Sequence, residues 1–167
     1  VADRVARVGF KAKSGRSLEL QSAGVDLLVV GLGKKPDAES WRRAGGSAAA
    51  RAAQLKAGSV AVAAGPASSA RRNAEALAEG FILGGYRFDK YRSRNDDDGY
   101  RGAARLTLAA TGLPSGVAAR RLAARVTRAT EAVFLARDLV NEMSSVKTPA
   151  FLVAAAKKLA RDGGLKC

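Results

Sequence analysis

The sequence predicts an α/β fold with a mostly parallel sheet covered by helices on both faces. Two strand-like apolar runs, at residues 25–32 and 59–64, are each followed by an amphipathic helical segment, and this strand–helix–strand–helix order is typical of parallel sheets. The composition agrees, because 47% hydrophobic and 26% charged residues are typical of a globular chain. Since the 167 residues include only five Phe, three Tyr and one Trp, the core must depend on Ala, Val and Leu.

The first 32 residues predict two strands and a loop that joins them. Residues 4–10 alternate weakly between apolar and polar side chains and predict a first strand. The polar stretch 11–24 predicts a loop, with a short strand at Ser17–Leu20. Val25–Leu32 is a continuous run rich in Val and Leu, which predicts a strand buried on both faces.

Gly31-Leu32-Gly33, which follows that strand, resembles the start of a dinucleotide-binding fingerprint. The position of the third glycine is occupied by Pro36, and Lys34-Lys35 precede it, so the pattern fails. A cramped loop at the edge of a sheet needs glycines in any case. We therefore expect these glycines to shape a loop and not to cradle a phosphate.

Two helices are predicted, one before and one after the strand at 59–64. The first begins at Pro36-Asp37 or Ser40 and ends at Gly58 as a C-terminal cap, and the second is capped by Ser68 or Ser69. Apolar residues at steps of three and four give each helix one buried face. The predicted face of the first helix holds Trp41, Ala44, Ala48, Ala52 and Leu55, and that of the second holds Ala70, Ala74, Leu77, Phe81 and Gly84.

Residues 86–99 combine aromatic, basic and acidic side chains. Tyr86, Phe88 and Tyr91 alternate with the basic residues Arg87, Lys90, Arg92 and Arg94. Such rings and cations could clamp a nucleic acid, but we prefer the interpretation that the rings pin a loop to the core. Asp96–Asp98 before Gly99 superficially suggest calcium; because the twelfth position from Asp96 is Thr107, the EF-hand pattern fails and a solvated loop is predicted.

A further strand of the sheet and the longest helix follow. Residues 105–110 alternate and predict the strand, and Ser115 is expected to cap the helix. Either a coiled-coil-like seam or a helix lying across a sheet or between two domains fits its heptad spacing. The predicted seam is Leu122, Val126, Ala129, Val133, Ala136, Val140 and Met143, and the outer face carries Arg121, Arg125 and Arg128.

The last segment predicts a turn and one more helix. The pattern breaks at Ser144-Ser145, and Thr148 then stands as N-cap with Pro149 in the first helical position. The predicted buried stripe of this helix is Leu152, Ala155, Ala156 and Leu159, and Gly163-Gly164 ends it. Residues 165–167 are typical of the start of a strand, so we expect the chain to be a fragment of a longer protein.

Several classes of chemistry are excluded by composition. The chain has no histidine and a single cysteine, Cys167, so it holds no disulfide, no cysteine-based metal site and no histidine base. The sequence contains no apolar run of about 18 residues, so no membrane span is predicted. The N-terminus lacks a signal-peptide pattern. A cytoplasmic protein without membrane partners is therefore expected.

A formal net charge of +14 favours polyanionic partners. The alternative is a compositional bias towards Arg and Ala spread over solvated helix faces. We prefer this alternative, because the basic residues are scattered and few aromatic residues stand among them.

The stretch ARDLVN at residues 136–141, followed by Thr148-Pro149 and an Ala-rich helix, is similar to the interdomain joint of one enzyme family. That family is the leucyl (cytosol) aminopeptidases, the M17-type metallo-exopeptidases. Three upstream segments resemble it in the same order: the strand and GLG stretch at 29–33, the helix at 43–51, and the Glu79-Gly80 segment with Leu83, Tyr86, Phe88 and Tyr91. The chain departs from the family at residues 142–145, where the family usually places one or two prolines.

The resemblance implies a three-layer α/β/α, macro-like N-terminal domain at residues 1–143, ending in a long interdomain helix. Residues 144–167 would be the linker and first helix of a truncated catalytic domain. The parent family hydrolyses N-terminal residues from peptides with two divalent metals (manganese, zinc or magnesium). Because the family's metal-binding motifs are absent, no catalytic, cofactor-binding or metal residue is assigned here, and this fragment is predicted to be inactive. It would contribute to a homohexamer and to active-site access.

Two other functions are weighed against this one. The first is a basic nucleic-acid-binding domain, with DNA as partner, that uses the helix face of Arg121, Arg125 and Arg128. The second is a free-standing macro-like domain that binds ADP-ribose, against which the failed fingerprint at Gly31–Pro36 counts.

Overall fold

The structure is a computed structural model that describes residues 2–64, 70–93, 102–103 and 105–166. Its elements, in chain order, are α1 (Ala2–Arg7), β1 (Ser17–Ser22), β2 (Val25–Val30), α2 (Ala38–Gln54), β3 (Ser59–Ala64), α3 (Ala70–Gly84), β4 (Arg105–Ala110), α4 (Gly116–Asn141) and α5 (Pro149–Asp162). The chain divides into two compact units, Val1–Glu131 and Ala132–Cys167, and the division falls inside α4.

The strands of the first unit form two pairs of opposite sense. β1 and β2 are antiparallel, with Ser17 opposite Val30 and Leu20 opposite Leu27. β3 and β4 are parallel, with Val60 beside Leu106. The predicted α/β class is confirmed, but the parallel part is smaller than expected, because within the described residues it consists of the β3–β4 pair alone.

The β1–β2 hairpin turns through Ala23 and Gly24, both of which have positive φ (51° and 75°). Two central residues with positive φ define the type I′ turn, whose twist matches that of the two strands it joins. β1 therefore confirms the short strand predicted at Ser17–Leu20 and extends it to Ser22.

The first strand predicted from the sequence, at residues 4–10, is wrong, because the structure has helix α1 at Ala2–Arg7. Its Ala and Arg residues favour a helix, and Asp3 in the first turn and Arg7 in the last complement the helix dipole. Val8, which is part of the weak alternation that suggested a strand, lies just after the helix and is 61% exposed.

Helices α2 and α3 make the most extensive contact between elements of the described structure. Ala44, Ala52, Leu77 and Phe81, all predicted as buried, lie in this core. The predicted cap at Gly58 is wrong, because α2 ends at Gln54 and Leu55 is its C-cap. Lys56 takes the positive φ (49°), and the amide of Ala57 donates to the carbonyl of Ala52, which closes the helix before Gly58 is reached.

The strand at 105–110 and the long helix α4 are both confirmed, but the predicted seam of α4 is not buried along its length. Val126 is buried, whereas Val140 is 73% and Met143 50% exposed. Thr130, one turn after Val126, is also buried. Its hydroxyl donates a hydrogen bond to the Val126 carbonyl at 2.9 Å. The heptad pattern therefore predicted the helix and the burial of Val126, but it missed Thr130 and placed the exposed Val140 and Met143 on the buried face.

In the second unit, α5 begins as the sequence predicts. Thr148 is the N-cap, its hydroxyl accepts a hydrogen bond from the Phe151 amide at 3.2 Å, and Pro149 follows it in the first helical turn. The predicted buried stripe is largely exposed, since Leu152 is 44% and Leu159 54% exposed. The predicted acidic loop at 95–99 and the caps at Ser68 or Ser69 lie outside the described residues.

Candidate functional site

A polar contact in the first unit joins the side chain of Arg42 on α2 to that of Glu79 on α3. The Arg42 guanidinium donates to Glu79 Oε2 from Nε (3.3 Å) and Nη2 (3.0 Å), and to Glu39 Oε2 from Nη1 (2.7 Å). The bonds to Glu39 and then Glu79 raise the pKa of Arg42, and the bonds from Arg42 and Arg43 lower the pKa of Glu39. Since these carboxylates are held by arginines, the network fixes two helices and offers no free general base.

Sequence reasoning singled out Glu79-Gly80 without finding its partner. Arg42 and Glu79 are 37 residues apart, and no local pattern connects them. Gly80 stands next to Glu79, against the backbone of Arg42, where a β-carbon would overlap the Arg42 carbonyl. Both residues of this segment therefore serve to hold α3 against α2.

The Gly31-Leu32-Gly33 stretch contacts the chain before β1. The Gly31 amide donates to the Arg16 carbonyl (2.8 Å), and the Gly33 amide donates to the Ala12 carbonyl (2.9 Å). Gly31 is buried against the backbone of Lys13, and Gly33 has a φ of +83°. Because these two amides are already paired, they are not available to a phosphate. Close packing accounts for Gly31, and the positive φ accounts for Gly33.

A small apolar cavity lies at the carboxyl ends of β3 and β4. Its volume is about 20 Å³, and its lining includes Trp41, Asn73, Leu77 and Leu113. Trp41 Nε1 is buried and has no acceptor among the residues that the structure describes. A cavity of this volume holds one water molecule, so it is far too small for ADP-ribose.

The aromatic and basic loop after α3 is held by its own charges. The Asp89 carboxylate forms ion pairs with Arg87 (3.1 Å) and Arg92 (3.5 Å). The Phe88 and Tyr91 rings lie 6.0 Å apart, and the Lys90 ammonium is 5.3 Å from the Tyr91 ring. These contacts join residues of the loop to one another and do not test the predicted packing of the rings on the core; Arg94 lies outside the described residues.

The arginine face of α4 is interrupted at its centre. Arg125 forms an ion pair with Glu75 of α3. Arg121 and Arg128 are exposed on either side of it. A polyanion on this face would have to compete with Glu75 for the middle guanidinium, so the three arginines do not act as one free surface.

The residues that the structure describes do not form a two-metal centre. Within the described ranges no three His, Cys, Asp or Glu side chains are placed to hold a metal ion. Glu39, Glu75 and Asp89 form ion pairs with arginines, and Asp162 forms one with Lys158. We therefore assign no metal-ligating residue in this part of the chain. Nor does any described helix have the length and hydropathy needed to cross a bilayer.

Curated relatives align with nearly all of this chain but extend well beyond it. A probable cytosol aminopeptidase of Aquifex aeolicus is 36% identical over 99% of this chain, and one of Rhizobium rhizogenes is 34% identical over 97% of it. The chain spans 34% of the length of each relative.

Solved structures give the same relationship. A tomato leucine aminopeptidase mutant superimposes with a TM-score of 0.83 at 28% identity, over 96% of this chain and 32% of that protein. The bottromycin maturation enzyme BotP in complex with Mn superimposes with a TM-score of 0.75 at 33% identity, over 100% of this chain and 35% of that protein. Residues 1–95 match the family model described as the cytosol aminopeptidase family, N-terminal domain. This chain therefore belongs to the cytosol aminopeptidase family.

Proposed function

We propose that this chain is the non-catalytic N-terminal region of a cytoplasmic metallo-aminopeptidase that removes N-terminal residues from peptides. The observation that carries the proposal is the match of residues 1–95 to the N-terminal domain of the family, in a chain that spans 34% of its curated relatives. The aminopeptidase activity would then belong to the whole protein, and residues 1–143 and 144–167 would be its front domain and the start of its catalytic domain.

Two divalent metal ions supply this class of hydrolysis with an activated water and a polarised scissile carbonyl. BotP, one of the similar structures, was solved with Mn. Since no group of metal ligands occurs among the described residues here, the metal centre would be formed by the part of the protein that corresponds to the remainder of its relatives. The role of this chain would be structural, in assembly and in shaping access to that centre.

The second unit carries exposed apolar side chains, which support a role in assembly. Val140, Met143, Leu152 and Leu159 are 73%, 50%, 44% and 54% exposed on α4, the turn after it, and α5. These residues lie on consecutive elements, and a contiguous patch of exposed apolar side chains is typical of an interaction surface. We propose that this apolar surface is covered by the catalytic domain of the same polypeptide, within a homohexamer.

The first test is hydrolysis of Leu-p-nitroanilide with added manganese. The 167-residue chain is expected to show no turnover above the buffer blank, whereas a chain extended through the region that corresponds to the remainder of its relatives is expected to be active. Metal-dependent turnover by the short chain would refute the proposal.

The second test addresses the apolar surface in the extended protein. Val140→Asp combined with Leu152→Asp should lower the fraction of assembled protein in light scattering and lower the turnover with it. Val8→Asp is the control, because Val8 is 61% exposed but lies in the first unit, outside the proposed surface. Full assembly of the double variant would show that the surface is not an interface.

A further inference from the structure

A cleft lies between the β1–β2 hairpin and the C-terminal end of α2, and its volume is about 230 Å³. Glu19 is opposite Leu28 and Gln21 is opposite Asp26 in the antiparallel pairing, so these four side chains share one face of the hairpin. An ion pair of 2.8 Å between Arg51 of α2 and Glu19 places the end of the helix on that face. The hairpin therefore forms one wall of the cleft, and the helix forms the other.

The cleft carries an excess of negative charge, although the chain as a whole has a net charge of +14. Its charged lining residues are the carboxylates Glu19 and Asp26 and the guanidinium of Arg51. Arg51 is engaged by Glu19 and by the Gln54 side chain (3.0 Å). Asp26 has a neutral partner, the Gln21 side chain, and forms no ion pair with any cation in the described part of the chain.

The Asp26 carboxylate has room for a further donor. The residue is exposed, and an ionised carboxylate offers about four lone-pair sites. One of these accepts the hydrogen bond from Gln21 Nε2 at 2.9 Å. Arg4 of α1, which also contacts the hairpin, donates to the main-chain carbonyl of Gln21 and not to Asp26. A cationic donor can therefore bind Asp26 without displacing a protein group.

Leucine side chains and the size of the cleft limit the rest of the ligand. The lining includes Leu20, Leu27, Leu28 and Leu55, and Leu55 is 39% exposed. Pockets for drug-sized molecules have volumes of about 300–1,000 Å³, so this smaller cleft suits a ligand of only a few carbon atoms. A ligand that matches it has one positive charge and a short apolar body.

We propose that this cleft binds a small primary ammonium compound, with its charged group on Asp26 and its alkyl body against Leu28 and Leu55. A free alkylamine and the amino end of a short peptide share this chemistry, and the test below separates them. The inference is independent of the proposed function, because it requires neither the metal centre nor the second unit.

The test is an NMR titration of the isotope-labelled 167-residue chain with isoamylamine, which at neutral pH is an ammonium ion with a branched alkyl body. Isoamyl alcohol has the same body without the charge, and isovalerate has a negative charge in its place. Leucinamide presents the ammonium group as a peptide does. The backbone amides of Gln21, Asp26, Leu28 and Leu55 report on the cleft.

Two variants with the same loss of charge make the titration specific to Asp26. Asp26→Asn removes the charge but keeps an oxygen acceptor for the Gln21 side chain. Asp162→Asn is the matched control, because Asp162 is an exposed carboxylate that lies in the second unit. The spectrum of each variant also shows whether it is folded.

We expect isoamylamine to shift the cleft amides with a millimolar Kd, because one charge-assisted hydrogen bond and one small alkyl group are engaged. Asp26→Asn should weaken this binding about tenfold, and Asp162→Asn should leave it unchanged. Tighter binding of leucinamide than of isoamylamine would identify the amino end of a peptide as the ligand, and weaker binding would identify a free amine.

The proposal would be overturned if millimolar isoamylamine left the cleft amides unshifted, or if both variants weakened binding equally. It would also be overturned if isoamyl alcohol bound as tightly as the amine, because the charge would then have no role. Tighter binding of isovalerate would contradict it as well, since Arg51 and not Asp26 would then recognise the ligand.

Discussion

Gly80 of α3 lies directly against the backbone carbonyl of Arg42 in α2, while the Arg42 side chain bonds to Glu79 on the same turn of α3. Arg42 therefore contacts α3 through both its main chain and its side chain. Gly45 makes the reciprocal contact, since a β-carbon on it would overlap the Leu77 carbonyl of α3. The two helices approach so closely at these points that there is no room for a side chain, and this accounts for Gly45 and Gly80.

Replacing Gly80 or Gly45 by Ala should therefore destabilise the first unit. The added methyl group meets backbone, which cannot move aside as a side chain can, so the helices must separate. We expect a loss of about 2–3 kcal/mol in the free energy of unfolding for either variant. Urea unfolding followed by circular dichroism measures it.

Gly46→Ala is the matched control, because a β-carbon there would be 3.8 Å from the Gly80 carbonyl oxygen, an ordinary contact. A mid-helix Gly→Ala change without a clash is expected to stabilise by about 0.5–1 kcal/mol. If Gly80→Ala behaved like Gly46→Ala, the close approach of α2 and α3 would be wrong.

The N-cap of α2 should make part of the stability depend on acid pH. The hydrogen bonds from the Ser40 hydroxyl and amide lower the pKa of Asp37 below 3.8. A carboxyl whose pKa is lowered by folding contributes its stability above its unfolded pKa and loses it as the pH falls through its folded pKa. The contribution of Asp37 should thus be complete above pH 3.8 and disappear below it.

Asp37→Asn tests this, since Asn also caps helices but does not titrate. We expect the difference in melting temperature between the unmodified chain and this variant to be constant from pH 7 to about pH 5 and to change below pH 3.8. Ser40→Ala, which removes the main cause of the lowered pKa, should flatten the same dependence. A difference that is constant down to pH 2 in both cases would contradict the assignment.

The hairpin turn offers a stabilising substitution. Ala23 has a φ of 51°, a left-handed conformation that strains most residues with a β-carbon but Asn less than Ala, and Gly24 follows it. Asn-Gly is the favoured pair in type I′ turns, so Ala23→Asn should raise the free energy of unfolding by about 0.5–1 kcal/mol. Ala23→Val should lower it, and a gain with Val would show that the turn is of another type.

The start of α5 should depend on the Thr148 hydroxyl. Thr148→Ala removes the acceptor of the Phe151 amide, at a cost of about 1 kcal/mol to the helix. Hydrogen exchange of that amide should then accelerate about fivefold, whereas Thr148→Ser should leave it unchanged. Equal exchange in Thr148→Ala would mean that the capping bond does not protect the first turn.

Local chemistry in the sequence was sufficient where a few neighbouring residues determine an element. The Thr148-Pro149 pair gave the first turn of α5, and the apolar runs gave β2 and β3. The weak alternation at 4–10 was misleading, because seven residues do not separate a strand from a short helix rich in Ala and Arg. The failed fingerprint at Gly31–Pro36 was interpreted correctly, since its amides bond to the preceding segment.

Contacts between distant residues could not be predicted. No residue near Arg42 in the sequence indicates that it pairs with Glu79. In the same way, the residues around Arg125 do not indicate its ion pair with Glu75, so the sequence could not predict that this arginine is engaged. The buried side of α4 was predicted correctly only at Val126, for a related reason. The heptad steps leading to Val140 and Met143 predict an apolar face, but the sequence does not say whether this chain or another part of the protein covers it.

The most direct test of the central claim is the rate of Leu-p-nitroanilide hydrolysis by two proteins at equal concentration with the same amount of added manganese. One is the 167-residue chain, and the other is the same chain extended by the region that corresponds to the remainder of its relatives. We expect turnover from the extended protein alone, abolished by a chelator and restored by metal. Chelator-sensitive turnover from the 167-residue chain would contradict the claim that this chain is the non-catalytic part of the enzyme.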